Sequence, residues 1–350
     1  MKKKSAINQT NEKIGIKDVA KHAGVSISLV SYVLNGKAVE KQVKQETAQK
    51  ILEAAKQLNY RPNLIAKSLK ISKSNTIGLL VADINYRFSS GITKAVEQEA
   101  KKHDYTVIYG SSNESKEDFE SLLNVFLERQ VDGLIIIAVD ESQEQIRLLE
   151  SYNIPFILVD RIFSGLNTNY IALDNFQAAY NATEYLIQRG HRNIAFCNYK
   201  SNFYHLRERN RGYQAALEDY QIPVNPELSL FVTNNERSRE ENVRHELQRI
   251  LQSKDIKCDA VFFATDSLTI FGLKYIVDAN IKVPKDLSVM SFDEHDAYGI
   301  FYCPITYSKQ PLEEMGKQAV RTLLDLMYHK GVRQQITFEA RIVSGKSCRE

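Results

Sequence analysis

In the first 60 residues, apolar side chains recur at the spacing of α-helices. The segment IKDVAKHA (16–23) places them at i, i+3, i+4 and i+7, which predicts a helix. Gly24 follows, where a helix end favours a residue that tolerates positive φ. Ser26 is a natural N-cap for a second helix over 27–34, and a third is predicted near 45–58. Two helices joined by a tight glycine-containing turn form a helix-turn-helix.

The second predicted helix divides into two arcs at about 100° per residue. One arc is apolar and packs. The other is short-chained and mostly polar, which suits contacts with base edges and phosphates in a DNA major groove. An ordinary amphipathic surface helix would look similar. The apolar arc consists of Leu29, Val30, Val33 and Leu34, and the other of Ile27, Ser28, Ser31, Tyr32 and Asn35.

From Thr76 onward, short apolar runs alternate with amphipathic stretches. Apolar strands that alternate with helices predict parallel sheets covered on both faces, and two such units of about 130 residues fit the length. The predicted strands are 76–81, 106–109, 132–139, 155–159, 170–173, 193–197, 260–264 and 287–292. The predicted helices are 91–102, 116–129, 175–189, 211–220, 240–253, 267–279 and 311–329.

Charge is distributed unevenly along the chain. Residues 1–75 hold 15 Lys and Arg but five Asp and Glu, a net charge of +10, whereas the remaining 275 residues carry −7. A small cationic module on a mildly acidic body is typical of a nucleic-acid reader attached to another domain.

Several classes of protein do not fit this composition. No apolar run approaches the ~18 residues of a membrane helix, and no apolar stretch follows the basic N-terminus as in a secretory signal. The four cysteines form no C-x-x-C pair, which argues against a disulfide framework or a thiolate zinc site. We therefore expect a cytoplasmic protein with no membrane contact.

An enzyme is also disfavoured. No G-x-G and no G-x-S-x-G occurs, so the dinucleotide fingerprint, the Walker loop and the hydrolase elbow are absent. The run Asp293–Asp296 resembles metal ligands, but adjacent residues cannot all face one ion, and we interpret its acids as solvated loop residues. We expect neither catalysis, nor a cofactor, nor a metal. The third functional class is a sugar-binding carrier that does not bind DNA. The basic helical front end does not fit that class.

The front end resembles a known family. GIKDVAKHAGVSISLVSYVLNGK, followed by ILEAAKQLNYRPNLIAKSLK, is similar to the DNA-binding headpiece of the LacI/GalR family of transcription regulators, continuously from Ile16 to Lys70. The resemblance places Ile27, Ser28 and Tyr32 where the family reads bases, and Ser26, Ser31 and Asn35 where it holds phosphates. Since Ile27 can neither donate nor accept a hydrogen bond, only a thymine methyl or a sugar suits it.

The segment 61–70 resembles the hinge helix of the family, which orders on DNA and pairs with its twin in a second subunit. Leu69 matches the leucine that wedges between base pairs from the minor groove. The alternative is a linker residue packed on the body. The hinge residues assigned to DNA are Asn63, Ala66, Leu69 and Lys70.

Residues 76–344 resemble the effector module of the same family, which is similar to periplasmic sugar-binding proteins. That likeness implies two doubly wound parallel-sheet subdomains, three crossovers and a ligand cleft between them. Its cues are VDR (159–161), LDN (173–175), GHRNIAF (190–196), ERNRGYQAAL (208–217), ATDSLTIFGL (264–273), VPKDLSVMSFDE (283–294) and PITYSKQPLEEMG (304–316).

Polar residues directly after strands are the candidates to line such a cleft. Carboxylates and a guanidinium that converge there would form bidentate hydrogen bonds with vicinal hydroxyls. The alternative is that the carboxylates cap the helices that follow. Phe203, Tyr298 and Phe301 would supply a stacking face or core packing. The candidates are Asp83, Asn85 and Phe88 after the first strand, and Arg209, Asp266 and Asp293, which the resemblance assigns to effector binding.

The sequence also departs from the family pattern. Ser291 replaces the glycine that usually precedes the Phe-Asp of its motif, and Tyr307 stands where a small residue is common. The cluster FDEHDAYGIFY (292–302) also differs from the family pattern. These departures leave the effector open. A sugar or sugar derivative is expected first, with a nucleobase or a protein co-regulator as alternatives.

The sequence therefore predicts a homodimeric repressor on a pseudo-palindromic DNA operator, controlled by a small molecule. Its domains are predicted as a headpiece over 14–60, a hinge helix and linker over 61–75, and an effector-binding and dimerisation domain over 76–350.

Overall fold

The computed structural model describes residues 14–61, 73–163, 165–233, 238–328 and 333–350. The chain divides into two compact units, Met1–Ser74 and Asn75–Glu350. Within the described ranges, no helix is both long and apolar enough to cross a membrane.

The first unit contains three helices within its described residues, α1 (Ile16–Ala23), α2 (Ile27–Leu34) and α3 (Gln45–Gln57). All three predicted helices are confirmed. Gly24 ends α1 with φ +63°, the left-handed conformation that its position predicted. The small core is closed by the apolar face of each helix, with Val19, Val30 and Ile51 fully buried.

The second unit contains two sheets. Within the described residues, six strands form the first sheet in the order β11-β5-β4-β3-β1-β2, all parallel. These are β1 (Thr76–Val81), β2 (Thr106–Ser111), β3 (Gly133–Ile136), β4 (Phe156–Val159), β5 (Tyr170–Leu173) and β11 (Gln335–Phe338). Its helices are α4 (Arg87–Lys102), α5 (Lys116–Glu128), α6 (Gln143–Ser151) and α11 (Leu312–Tyr328).

The second sheet has the order β12-β10-β9-β8-β6-β7 in the same described ranges, and its edge strand β12 is antiparallel to β10. Its strands are β6 (Ile194–Tyr199), β7 (Ser229–Val232), β8 (Ala260–Phe263), β9 (Ser288–Phe292), β10 (Thr306–Lys309) and β12 (Arg341–Val343). Its helices are α7 (Asn175–Gln188), α8 (Tyr204–Asp219), α9 (Arg239–Leu251) and α10 (Asp266–Asp278).

The order of the strands shows how the two subdomains are connected. In the described ranges the chain passes from the first to the second sheet after β5, returns after β10, and passes back after β11. Each sheet has its own buried apolar cluster. The predicted two-subdomain α/β body is therefore confirmed, and the carboxyl ends of parallel strands lie where ligands bind in such folds.

Some elements were not predicted. Helix α6 and strands β7, β10, β11 and β12 were missed, and α4 and α8 begin at Arg87 and Tyr204 rather than at residues 91 and 211. Strand β10 escaped the hydropathy pattern because its inward side chains, Thr306 and Ser308, are polar although they are buried. The first turns of α8 were missed for the same reason, since buried Arg209 breaks the apolar periodicity.

Candidate functional site

Helix α2 presents the arc that its sequence predicted. Val30 and Val33 are buried, whereas Ile27 and Tyr32 expose 44% and 37% of their surface, and Ser28 is also exposed. The hydroxyl of Ser26 caps the helix by accepting a hydrogen bond from the backbone N–H of Leu29 at 3.3 Å. A mostly polar face therefore stands clear of the headpiece core.

The end of α2 is ordered by its own side chains. Asn35 Nδ2 donates to the carbonyl of Ser31 at 2.7 Å and lies 3.3 Å from its hydroxyl. The ammonium of Lys41 lies 5.9 Å from the centre of the Tyr32 ring and 3.0 Å from a carboxylate oxygen of Glu40. The assigned hinge residues Asn63, Ala66, Leu69 and Lys70 lie outside the described residues.

In the second unit, a cavity of about 290 Å³ opens between the ends of the two sheets. Four of the six predicted effector residues line it, namely Phe88, Arg209, Asp266 and Asp293. Its wall combines aromatic faces with charged groups that follow strands. The other lining residues are Tyr86, Ser89, Glu114, Ile137, Asp140, Asp160, Arg161, Tyr199, Lys200, Ser201, Phe203, His205, Leu206, Thr265, Ser267 and Gln310.

Arg209 is buried in this wall, and its side chain is only 3% exposed. Its Nε donates to Asn175 Oδ1 at 2.8 Å, and its Nη1 donates to the carbonyl of Ala264 at 2.7 Å. The same Nη1 lies 3.7 Å from Asp293 Oδ2, and the guanidinium carbon lies 3.6 Å from the centre of the Phe292 ring. Burial lowers the pKa of Arg209, while Asp293 is the main opposing charge.

A glycine one turn further along α8 makes this position possible. A Cβ on Gly212 would lie 2.1 Å from the carbonyl oxygen of Phe176 on α7, so only glycine allows the two helices to approach so closely. Asn175 begins α7, and the close packing therefore brings its amide to Arg209.

Five carboxyl groups line the cavity, those of Glu114, Asp140, Asp160, Asp266 and Asp293. Asp160 and Asp293 follow β4 and β9 directly, and both adopt a left-handed backbone conformation, with φ +65° and +68°. Burial raises the pKa of both, and Arg209 opposes that rise. Burial, and then the charge of Asp293, raise the pKa of Asp266 to about 7. The cations of the cavity therefore do not fully offset the free energy that is needed to bury its carboxyl groups in the charged form.

Several buried polar atoms of the wall have no hydrogen-bond partner among the described residues. They are Asp160 Oδ1, Gln310 Oε1 and His205 Nδ1. Asp160 and Gln310 are only 6% and 5% exposed. Buried polar atoms are usually paired, so a wall with unpaired acceptors is suited to a ligand that donates hydrogen bonds.

Two predicted effector residues are not brought into the cavity. Asp83 and Asn85 lie outside its lining, because Asp83 Oδ1 accepts from the backbone N–H of Asn85 at 2.8 Å in the turn before α4. Tyr86, the next residue, lines the wall instead.

The alternative role of Asp266 as a helix cap is not what the structure shows. The side chain of Thr265 caps α10 by accepting from Leu268 N at 3.2 Å, and Asp266 accepts from the backbone of Ser267 at 2.7 Å. The Asp266 carboxyl is therefore available to the cavity that it lines.

Of the three aromatic residues considered for a stacking face, only Phe203 lines the cavity. Tyr298 is 3% exposed and its hydroxyl lies 2.5 Å from that of Ser291, while Phe301 packs against the core of the second sheet. The hydroxyl of Ser291, which replaces the usual glycine, also lies 2.6 Å from that of Thr269.

Sequence reasoning missed the pair of Arg161 and Glu114. Both guanidinium nitrogens donate to the carboxylate, at 2.6 and 2.7 Å, and Nη1 also donates to the carbonyl of Ala138 at 3.1 Å. The Arg161 guanidinium carbon lies 4.4 Å from the centre of the Phe203 ring, which belongs to the other subdomain. The motif VDR contained the signal, since it places Arg161 after a strand.

The acids of the run Asp293–Asp296 are paired with cations, since Arg87 contacts both Glu294 and Asp296 and Arg209 contacts Asp293. The interpretation as solvated loop acids is therefore wrong for Asp293, which lines the cavity. Arg87 Nη1 lies 2.5 Å from Asp296, and Lys309 Nζ lies 3.0 Å from Glu294. Within the described ranges, no three His, Cys, Asp or Glu side chains are grouped so that they could hold a metal ion.

Comparisons with known proteins agree with both parts of the chain. Residues 15–63 match the family model described as "Bacterial regulatory proteins, lacI family", and residues 183–348 match the "Periplasmic binding protein-like domain". The chain is 34% identical over 316 residues to the HTH-type transcriptional regulator RegA of Clostridium saccharobutylicum, which covers 90% of this chain and 93% of RegA.

Two solved structures have the same architecture. The transcriptional regulator CelR in complex with cellobiose is 25% identical, with a TM-score of 0.70 over 95% of this chain and 99% of CelR. The Lac repressor dimer bound to operator and the anti-inducer ONPF is 23% identical, with a TM-score of 0.84 over 97% of this chain and 100% of that one. This second likeness concerns the fold.

Proposed function

The chain belongs to the lacI family of bacterial transcriptional regulators, and from that membership we propose that it is a repressor whose affinity for a DNA operator is controlled by a small molecule in the cavity. The observation that carries the proposal is the buried Arg209–Asp293 pair in a cavity, in the same chain as an exposed helix-turn-helix. One region then recognises DNA, and the other senses a ligand.

We assign the DNA contacts to α2 and to the hinge. Ile27, Ser28 and Tyr32 read base edges, and Ser26, Ser31 and Asn35 hold phosphates. Exposure of the mostly polar arc of α2 supports this assignment. Asn63, Ala66, Leu69 and Lys70 contact the minor groove, a role that depends on the sequence resemblance. The domains are accordingly the headpiece over 14–60, the hinge over 61–75 and the effector-binding body over 76–350.

The effector class that we favour is a sugar or sugar derivative. The unpaired acceptors Asp160 Oδ1 and Gln310 Oε1 require donors, which the hydroxyls of a sugar supply. Arg209 and Asp293 are placed to bind vicinal hydroxyls, and Phe203 offers an apolar face. CelR, which has the same fold, was solved with cellobiose.

We also propose that the protein acts as a homodimer, because one headpiece reads only a half-site. A groove on the second subdomain, lined in part by Ile270, Val277, Ile300 and Phe301, fits the other copy. Ile300 and Val277 expose 86% and 57% of their surface, and exposed apolar side chains grouped in one groove are typical of a protein interface. Ile300→Glu is expected to yield monomers by light scattering, whereas Leu148→Glu on α6 is not.

The decisive experiment combines operator selection with a ligand panel. Full-length protein is first used to select genomic fragments, and its affinity for them is then measured by fluorescence anisotropy with sugars and with nucleobases. A change in affinity with a sugar supports the proposal, and a change with a nucleobase alone corrects the effector class. A fragment of residues 76–350 serves as the control without a headpiece. No preference for any fragment over bulk DNA, with or without ligands, would refute the proposal.

A further inference from the structure

One arginine at the rim of the cavity joins the two subdomains. Arg87, the first residue of α4 in the first subdomain, has Nη1 at 2.5 Å from Asp296 Oδ1 and Nη2 at 3.4 Å from Glu294 Oε2. Both acids follow β9 in the second subdomain. The Arg87–Asp296 pair spans 209 positions of the sequence.

The two acids are held in place from their own side. Glu294 Oε1 lies 3.0 Å from Lys309 Nζ and accepts from the Tyr307 hydroxyl at 3.3 Å. His295 Nδ1 accepts from the backbone N–H of Ala297 at 3.0 Å and so begins the turn that presents Asp296. Glu294 is thus shared by two cations, and a network of charges is more effective than an isolated exposed pair.

The bridge directly adjoins the cavity wall on both sides. Phe88 and Ser89, which follow Arg87, line the cavity, and so does Asp293, which precedes Glu294. Any opening of the cleft that separates these neighbours must also separate Arg87 from its acids. The cluster 292–302, which departs from the family pattern, therefore contains one half of this bridge.

We propose that Arg87 is a latch across the cleft, whose ion pairs with Asp296 and Glu294 hold the two subdomains closed over the cavity. That the enclosed space is an effector site rests on the proposed function, but the latch itself does not. Loss of the latch shifts the body towards open forms in which the cavity wall exchanges with solvent.

Hydrogen exchange measured by mass spectrometry on the full-length protein, without DNA or ligand, tests the latch. In Arg87→Gln, peptides covering residues 83–90, 263–268 and 290–296 are expected to exchange roughly two- to five-fold faster, the size that an exposed ion pair supports. The matched control is Arg249→Gln. Arg249 is 37% exposed, against 36% for Arg87, and its Glu246 partner at 2.9 Å lies on the same helix.

A second variant separates the latch from general destabilisation. Asp296→Asn changes a side chain that is 87% exposed, and it should raise the exchange rate of the same peptides. In the double variant with Arg87→Gln, these peptides should exchange very little faster than in Arg87→Gln alone. Raising the salt concentration to 1 M should bring the exchange rates of the wild-type peptides close to those of Arg87→Gln, because salt screens exposed ion pairs.

Equal exchange in wild type and Arg87→Gln, or effects of the two substitutions that simply add, would overturn the latch. If circular dichroism shows that Arg87→Gln is poorly folded, the exchange rates of Asp296→Asn and of the wild type at 1 M salt test the latch instead. Because neither operator nor effector is present, the outcome is independent of the test of the repressor function.

Discussion

The proposed DNA-reading surface of α2 and the cavity of the body are built in opposite ways. The surface residues lie within ten consecutive positions, Ser26–Asn35, and most of them face solvent. The cavity wall is drawn from positions 86 to 310, and Arg209 and Asp160 within it are 3% and 6% exposed. One site is a local motif, and the other exists only after two sheets have packed.

This difference predicts different costs of substitution. The side chains of Ser28 and Tyr32 on α2 are exposed when DNA is absent, so their loss removes a DNA contact and little else. The polar groups of the cavity have given up water, and each depends on its neighbours for partners. Substitutions in the cavity should therefore lower stability and weaken the response to ligand, whereas substitutions of Ser28 and Tyr32 should weaken operator binding alone.

Arg209→Ala should give the largest effect. Its loss leaves the Asp293 carboxylate and the Asn175 amide buried without their partner, and we expect the free energy of unfolding of the body to fall by about 3–5 kcal/mol. Chemical denaturation measures this change, and titration with an active sugar should show no response. Arg211→Ala, two positions along the same helix, removes a side chain that is 63% exposed and contacts Glu208 at 2.7 Å, and it should cost much less. A similarly small cost for Arg209→Ala would contradict the comparison.

Ser28→Ala and Tyr32→Ala should each weaken operator binding by about 1–3 kcal/mol, the contribution of one base contact. Fluorescence anisotropy on the selected operator measures the loss, and thermal unfolding of the body should not change. Gln49→Ala, exposed on α3, is the control within the headpiece. If either substitution in α2 leaves affinity unchanged, that residue does not read a base.

Gly24→Ala tests the turn that positions α2. A methyl group there would meet nothing nearer than Lys50 Nζ at 4.0 Å, so the cost arises from φ +63° alone. We expect the headpiece to lose about 1 kcal/mol, seen as faster amide exchange in α1 and α2 of the full chain. Gly24→Asn should cost less because Asn tolerates this conformation. Equal losses for Ala and Asn would show that φ is not the cause.

Asp266→Asn should change the pH dependence of stability. The folded-state pKa of about 7 lies above the ordinary value of 3.8, so the folded protein retains a proton that the unfolded chain has released. This contribution to stability is present below pH 3.8 and is lost as the pH rises through 7. Denaturation midpoints across this range should fall less steeply in Asp266→Asn. An unchanged slope would show that Asp266 does not titrate there.

The comparison also explains which elements could be predicted. Strands such as β1 and β8 are apolar throughout and were found, because burial on both faces leaves a continuous signal. Strand β10 and the first turns of α8 bury polar side chains, and that polarity conceals them.

The same limit applies to individual residues. Arg209, Asp266 and Asp293 were identified because each stands in a motif, and they do line one cavity. Asp83 and Asn85 follow a strand equally well, yet a local turn keeps them out of the wall. Position after a strand brings a side chain near the edge of the sheet, but it does not determine which way that side chain turns.

The amino-acid order alone determined the headpiece and its exposed arc, because residues three and four positions apart share a helical face whatever surrounds them. Only the tertiary structure decided the partners of the charged groups. Arg161 pairs with Glu114 across 47 positions of the sequence, and Arg87 pairs with Asp296 across 209. The first pair follows from how the strands of one sheet are arranged, and the second from how the two sheets pack. Distances in space select among many carboxylates, and spacing along the chain does not encode those distances.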